Sequence, residues 1–146
     1  MDITLTLALP RDRLSVPVVR RILSDSLTTL GLDDSTVGDI ELALTEACTN
    51  VLDHAGGEEE YEVTACVDKQ KCVIEIIDRG VGFEERTGGL ADPLAEDGRG
   101  IAIMRALMDR LEFHERPATG TVVRLEKSLT WDEEAVLSRL ERRESA

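Results

Sequence analysis

Three short stretches of the chain combine glycines with acidic, amide and basic side chains in an arrangement suited to a phosphorylated ligand. Glycines let the backbone approach a ligand closely, and the first N–H groups of a helix suit phosphate. The pattern is neither that of a P-loop nor that of a dinucleotide-binding fingerprint. The stretches are Thr45-Glu46-Ala47-Cys48-Thr49-Asn50, Asp78-Arg79-Gly80-Val81-Gly82-Phe83 and Gly98-Arg99-Gly100-Ile101-Ala102-Ile103-Met104.

The first stretch lies in a segment with helical periodicity, and its polar residues Glu46, Asn50 and Asp53 fall opposite the apolar face. A face that contacts only solvent explains them equally well. Two observations favour a site: asparagine is a mediocre helix former, and an amide oxygen beside a carboxylate suits Mg²⁺. The apolar face carries Val37, Ile40, Leu44, Cys48, Val51 and Ala55.

Asp78 ends the apolar run 72–77, so we expect it near the sheet edge or partly inside the protein. A buried carboxylate needs hydrogen-bond donors, and the exocyclic amine of an adenine with a neighbouring water would supply them. An ordinary turn aspartate before Gly80 is the alternative. Gly80 and Gly82 predict a tight turn in either case.

Gly98 and Gly100 stand at the predicted start of a helix and are candidates for a phosphate cradle. Glycine costs about 1 kcal/mol relative to alanine inside a helix, so a pair of glycines there indicates backbone close to another group. A plain loop-to-helix turn is the alternative. Arg99 and Arg105 are candidates for contacts with phosphate charge, although either also suits an exposed surface.

Hydrophobic periodicity predicts the elements that must position these residues. The order is strand, two helices, hairpin, loop, helix, strand and helix, which fits long helices on one face of a mixed or antiparallel sheet. The loop, from about 84 to 96, has the length of a functional lid. The predicted spans are 3–9, about 14–30, about 33–55, 62–67 with 72–77, about 100–111, 121–126 and 131–143.

Composition narrows the classes of protein. The 146 residues suit one domain, and a formal net charge of −13 argues against a direct nucleic-acid partner. No apolar run approaches the roughly 20 residues that a membrane span needs, and the N-terminus lacks an export signal, so we expect a cytoplasmic protein with no membrane partner. The three cysteines, Cys48, Cys66 and Cys72, are expected to be reduced.

The order and spacing of the motifs resemble the GHKL ATPase superfamily, which includes the ATP-binding domains of gyrase, Hsp90, histidine kinases and MutL. Within it, the chain is most similar to the small anti-sigma-factor serine/threonine kinases of bacteria. The resemblance runs from the first strand to about Lys127 and includes His54, Met108-Asp109 and Gly120-Thr121 beside the three stretches above. It implies an α/β (α+β) fold, a two-layer sandwich with helices on one face of a mixed, largely antiparallel sheet.

The resemblance also implies roles for individual residues. Glu46 would be the general base, Asn50 would hold Mg²⁺ against the phosphates, and Asp78 would recognise the adenine amine. The nucleotide would be ATP. The backbone or side chains of the remaining residues would also contact ATP: Gly80, Gly82, Gly98, Arg99, Gly100 and Thr121.

Proteins of this kind bind an RNA polymerase sigma factor, phosphorylate a serine on an anti-anti-sigma (STAS-type) antagonist and commonly form homodimers. We therefore expect an ATP-dependent serine/threonine kinase with a domain at 1–128 and a helical extension at 129–146. A non-catalytic nucleotide-binding module is the alternative, because Glu96-Asp97 places two carboxylates before the last glycine motif. A kinase acting on a partner histidine is less favoured, since no helix with an acceptor histidine precedes the domain.

Overall fold

The computed structural model describes residues 1–54, 60–78, 98–116 and 120–145. Within these ranges the chain forms five strands and four helices. The strands are β1 (Ile3–Pro10), β2 (Glu60–Val67), β3 (Lys71–Asp78), β4 (Arg110–Arg116) and β5 (Gly120–Ser128). The helices are α1 (Ser15–Leu30), α2 (Asp34–His54), α3 (Gly98–Leu107) and α4 (Val136–Ser145). The predicted lid at 84–96 lies outside the described residues.

The five strands form one sheet in the order β1-β2-β3-β5-β4, and every pairing among them is antiparallel. Buried residues alternate with partly exposed ones along β2 and β3, so one face of the sheet is covered. Helices α1 and α2 pack on each other, and α2 also packs against β3, β5 and α3. The predicted two-layer sandwich is confirmed, with a wholly antiparallel sheet among the described strands.

The apolar periodicity of α1 and α2 supplies the helical layer of the core. Val19, Leu27, Ile40 and Leu44 are almost completely buried. Gly31 ends α1 in a left-handed conformation, with φ of 107°, and its N–H bonds the carbonyls of Leu27 and Thr28. The helix predicted over about 14–30 therefore ends where the left-handed glycine stops it.

The predicted helix over 100–111 is wrong at its C-terminal end, because α3 stops at Leu107 and a strand follows that the periodicity did not indicate. The change occurs within two residues: the N–H of Met108 still bonds the carbonyl of Met104, whereas that of Asp109 bonds Glu126 on β5. Strand β4 lies at the edge of the sheet. Its structure depends on pairing with β5, which no local pattern reveals.

The C-terminal segment packs on the rest of the protein. Lys69, in the β2–β3 turn, donates a hydrogen bond of 2.9 Å to the hydroxyl of Ser138 on α4. Leu137 is fully buried, and the N–H of Leu129 bonds the carbonyl of Gln70. The division into a 1–128 domain and a 129–146 extension stays a prediction. Within the described ranges, no helix combines the length and apolar character needed to cross a membrane.

Candidate functional site

Helix α2 carries the first candidate residues, and its start is set by a side-chain cap. The N–H of Thr36 bonds Oδ2 of Asp33 at 3.1 Å, and the Thr36 hydroxyl bonds Oδ1 at 2.7 Å. These hydrogen bonds from Thr36 lower the pKa of the Asp33 carboxyl. The cap satisfies the N–H of Thr36, which would otherwise lack a partner at the helix start, and the helix then runs to His54.

Asn50 departs from the behaviour of a solvated helix face. Its side chain is 7% exposed, and its Oδ1 atom has no hydrogen-bond partner among the described residues. Glu46, one turn earlier, is partly exposed, whereas Asp53 is exposed and pairs with Arg13. The polar face of α2 is therefore divided: Asp53 faces solvent, whereas Asn50 presents a buried acceptor that no described residue pairs with. A buried acceptor without a donor is costly, and such groups call for an explanation.

Asp78 and Thr121 lie directly opposite each other, at the paired ends of β3 and β5. Asp78 is fully buried at the end of the central strand of the sheet, and Thr121 is 1% exposed. The hydroxyl of Thr121 is a second buried polar atom without a partner in the described structure. The pairing between strands thus places a carboxylate beside an unused hydroxyl group.

Arg11 is a residue of this site that the sequence reasoning missed. Its Nη1 donates a 2.9 Å hydrogen bond to Oδ2 of Asp78. Its Nη2 lies 3.2 Å from the carbonyl oxygen of Leu52 and 3.5 Å from that of Val51, both in the last turn of α2. The only signal in the sequence is an arginine directly after β1, which does not reveal a partner 67 residues away.

Helix α3 spans Gly98–Leu107, so Gly98 and Gly100 both lie in it, and it packs against α2. Gly100 is buried, whereas the side chains of Arg99 and Arg105 are exposed. This ten-residue helix thus belongs to the helical layer that also holds Asn50. Gly80 and Gly82 lie outside the described residues, as does the side chain of His54.

Asn50, Asp78 and Thr121 have the chemistry that a purine nucleotide and its metal ion require. An ionised carboxylate only accepts hydrogen bonds, so it suits an exocyclic amine, while a threonine hydroxyl can donate or accept. An amide oxygen suits Mg²⁺, which takes few protein ligands and completes its shell with phosphate and water. Among the described residues no cluster of three or more His, Cys, Asp or Glu side chains forms a metal cage. The amide oxygen of Asn50, which has no partner among the described residues, fits a metal ion that arrives with phosphate.

Comparison with known proteins identifies the family. The model of the histidine kinase-like ATPase domain matches residues 9–127. A serine-protein kinase RsbW of Bacillus pumilus is 30% identical over 129 residues, which cover 78% of each chain. An RsbW of Halalkalibacterium halodurans is 31% identical over 143 residues, covering 89% of this chain and 86% of its own. An anti-sigma F factor of Thermoanaerobacter sp. is 33% identical over 105 residues, covering 66% and 73%.

Two solved structures share the fold. The RsbU and RsbW domains of a Mycobacterium tuberculosis protein match with a TM-score of 0.67 and 23% identity, over 87% of this chain and 32% of that longer chain. The SiaB–SiaC complex of Pseudomonas aeruginosa matches with a TM-score of 0.58 and 14% identity, over 86% of this chain and 88% of that one. The chain belongs to the histidine kinase-like ATPase domain family, and this membership implies the use of ATP.

Proposed function

We propose that this member of the histidine kinase-like ATPase family is an anti-sigma factor and ATP-dependent serine kinase. It sequesters an RNA polymerase sigma factor and phosphorylates a serine on an anti-anti-sigma antagonist. Relatives named serine-protein kinase RsbW and anti-sigma F factor support this function. The single structural observation that carries it is that Asn50 Oδ1 and Thr121 Oγ1 are buried without a partner among the described residues and that the buried carboxylate of Asp78 lies opposite Thr121, because a nucleotide with its metal supplies partners for both atoms.

The proposal gives each of these residues one task. Asp78 accepts the hydrogen bond of the adenine amine, and Thr121, paired with it across β3 and β5, contacts the same base through its hydroxyl. Asn50 offers its unpaired amide oxygen to Mg²⁺. When bound, Mg²⁺ would neutralise the charge of the phosphates. The adenine end of the nucleotide is thus assigned to strands β3 and β5 of the sheet, and the metal at its phosphate end is assigned to helix α2.

The phosphates are assigned to the start of α3. Gly98 and Gly100 allow the backbone to lie close to a phosphate, and the helix start favours negative charge. Arg99 is exposed and adds a positive charge there. Gly80 and Gly82 are proposed to turn the chain beneath the adenine. Positioning and neutralisation of charge account for most of the catalysis of phosphoryl transfer.

Glu46 is proposed as the general base. It lies on α2 one turn before Asn50 and is partly exposed, so a substrate hydroxyl can approach its carboxylate. Glu46 takes the proton from the serine hydroxyl while that oxygen bonds the γ-phosphorus. The bond between the γ-phosphorus and the bridging oxygen breaks, and ADP leaves. The presence of this carboxylate favours a kinase over a module that only binds its partners.

Transfer of γ-labelled phosphate tests the function. The purified protein is incubated with labelled ATP, Mg²⁺ and the candidate antagonist proteins of its host, and the wild type is expected to label one of them on serine. Glu46→Gln should abolish the labelling and leave ATP binding largely intact. Glu75→Gln is the matched control, because Glu75 is also a partly exposed glutamate but lies on the sheet and pairs with Arg124. Labelling by Glu46→Gln at the wild-type rate would contradict the assignment of the base.

The sigma factor and the homodimer require separate measurements. A complex of the protein with a sigma factor of its host should form in the presence of ATP and dissociate when the unphosphorylated antagonist is added. Light scattering coupled to size exclusion should give twice the mass of one chain, 16.1 kDa. A mass of one chain at micromolar concentration would contradict the homodimer without affecting the kinase.

A further inference from the structure

The contacts of Arg11 indicate a part in nucleotide selection that no comparison assigns. We propose that Arg11 is a positioning residue, which orients the carboxylate of Asp78 and thereby sets the preference for adenine over purines that lack the exocyclic amine. The inference rests on the proposed function, since it takes Asp78 as the residue that contacts the base.

Arg11 joins two elements of the site through the two ends of one guanidinium group. Nη1 bonds Asp78 at 2.9 Å, while Nη2 lies 3.2 Å from the carbonyl oxygen of Leu52. The Arg11 side chain is 13% exposed and that of Asp78 is fully buried. Because the guanidinium is planar and rigid, its contact with α2 restricts how it can present itself to Asp78.

The orientation of a carboxylate matters when it must receive one particular amine. The torsion that turns the carboxylate of an aspartate is broad, so packing and hydrogen bonds must fix its angle. A fixed carboxylate accepts a hydrogen bond from the amine at C6 of adenine and opposes the carbonyl oxygen at C6 of hypoxanthine. Arg11 supplies the fixed hydrogen bond, and it anchors that bond to the turn that follows Asn50.

Arg13 offers a matched control two residues away. Its guanidinium pairs with Asp53, but its side chain is 72% exposed. An exposed ion pair contributes little to stability or to the geometry of a buried site. Arg13→Met therefore removes the same charge and side-chain type from the same segment without touching Asp78.

The experiment compares ATP with inosine triphosphate, which carries a carbonyl group in place of the amine at C6. Calorimetry on the full chain with Mg²⁺ gives the dissociation constants of both nucleotides for wild type, Arg11→Met and Arg13→Met. Loss of a hydrogen bond to a charged group should reduce the preference of Arg11→Met for ATP by about tenfold or more. Arg13→Met should keep the wild-type preference. If Arg11 had a purely structural role, Arg11→Met would lower the affinities for ATP and inosine triphosphate equally, and the ratio of the two dissociation constants would stay unchanged.

The remaining outcomes separate this inference from the proposed function. If Arg11→Met keeps the wild-type preference for ATP over inosine triphosphate while Asp78→Asn loses that preference, Asp78 still recognises adenine and the role of Arg11 is overturned. A wild-type protein that binds neither nucleotide would remove the proposed function, and this inference with it. If Arg11→Met fails to fold, Arg11→Lys replaces it in the experiment, because lysine keeps the positive charge but lacks the planar pair of guanidinium donors. A lowered ratio in Arg11→Lys supports the inference, and an unchanged ratio or failure of both variants to fold overturns it.

Discussion

Asp78→Asn is the substitution that most directly tests how the site recognises its ligand. The change replaces one carboxylate oxygen by an NH₂ group and leaves the shape of the side chain almost unchanged. Because Asp78 is fully buried, water cannot compensate for the exchanged group. If the amide NH₂ faces the ligand, a donor meets the donor of the adenine amine, whereas the carbonyl oxygen of hypoxanthine gains a partner.

The magnitude follows from the burial and the contacts of Asp78. A hydrogen bond to a charged group contributes about 1.5–3 kcal/mol, so the dissociation constant for ATP should rise about 10- to 100-fold. The constant for inosine triphosphate should fall. Stability should fall as well, because the largely buried guanidinium of Arg11 no longer faces the negative charge of Asp78. Removing one partner of a buried pair costs about 3–5 kcal/mol, and asparagine still accepts a hydrogen bond, so we expect the lower end. For a chain of this size that loss lowers Tm by about 10 °C.

Calorimetry with each nucleotide, well below the Tm of the variant, measures the affinities, and thermal unfolding measures the stability. Asp68→Asn is the control, since Asp68 caps the β2–β3 turn by accepting bonds from the N–H groups of Gln70 and Lys71. That turn lies at the opposite end of β3 from Asp78. The control should leave the affinity for ATP unchanged. A lowered Tm with unchanged ATP affinity in Asp78→Asn would refute the reasoning, because Asp78 would then only form an ion pair.

Three further substitutions test the metal ligand, a helix end and the buried thiols. Asn50→Leu should reduce the gain in ATP affinity that Mg²⁺ provides by about tenfold or more. The Tm of the nucleotide-free protein should stay unchanged or rise, because the substitution removes a buried acceptor that no described residue pairs with. A gain from Mg²⁺ equal to that of the wild type would contradict the assignment of Asn50 as a metal ligand. Gly31→Ala should destabilise the protein by about 3 kcal/mol in urea unfolding, because φ is 107° and the new Cβ would lie 2.6 Å from that of Ala135. A Cβ added at Gly38 would have no neighbouring atom within 4 Å, so Gly38→Ala should instead leave the stability unchanged or raise it. Equal changes in stability from Gly31→Ala and Gly38→Ala would contradict this explanation. Burial raises the pKa of Cys48 and of Cys72 from 9.0 to about 12, so the folded state keeps protons that the unfolded state loses, and stability should fall as pH rises above 9. Urea midpoints at pH 8 and 10 measure the fall, which should be smaller in Cys48→Val; an equal fall would show that other groups cause it.

The predicted family and fold are confirmed, and the elements that the sequence predicts best are those defined by local chemistry. The apolar stripes of α1 and α2, the left-handed Gly31 and the cap at Asp33 all act within one or two helical turns. Strand β4 could not be predicted, because its backbone partners lie on β5 and a half-exposed edge strand carries little hydrophobic pattern.

The site shows the same division. Its residue types and their order along the chain indicated Glu46, Asn50, Asp78 and Thr121, but the roles of these residues stay predictions. Only the assembled structure shows that Asn50 is buried with no hydrogen-bond partner for its Oδ1 atom in the described parts of the chain, whereas Asp53, on the same predicted face, is exposed to solvent. Arg11 belongs to the site only because the fold brings its guanidinium within hydrogen-bond distance of Asp78 and Leu52.

The sequence by itself determined which helices and hairpin form and which motifs could bind a nucleotide, because periodicity, caps and glycine positions act over a few residues. The tertiary structure alone decided which polar atoms are buried away from solvent and which charged side chains form ion pairs. Those properties depend on the register of β3 against β5 and on the packing of α2 over both strands. Register and packing join residues distant in the chain, so no local pattern contains them.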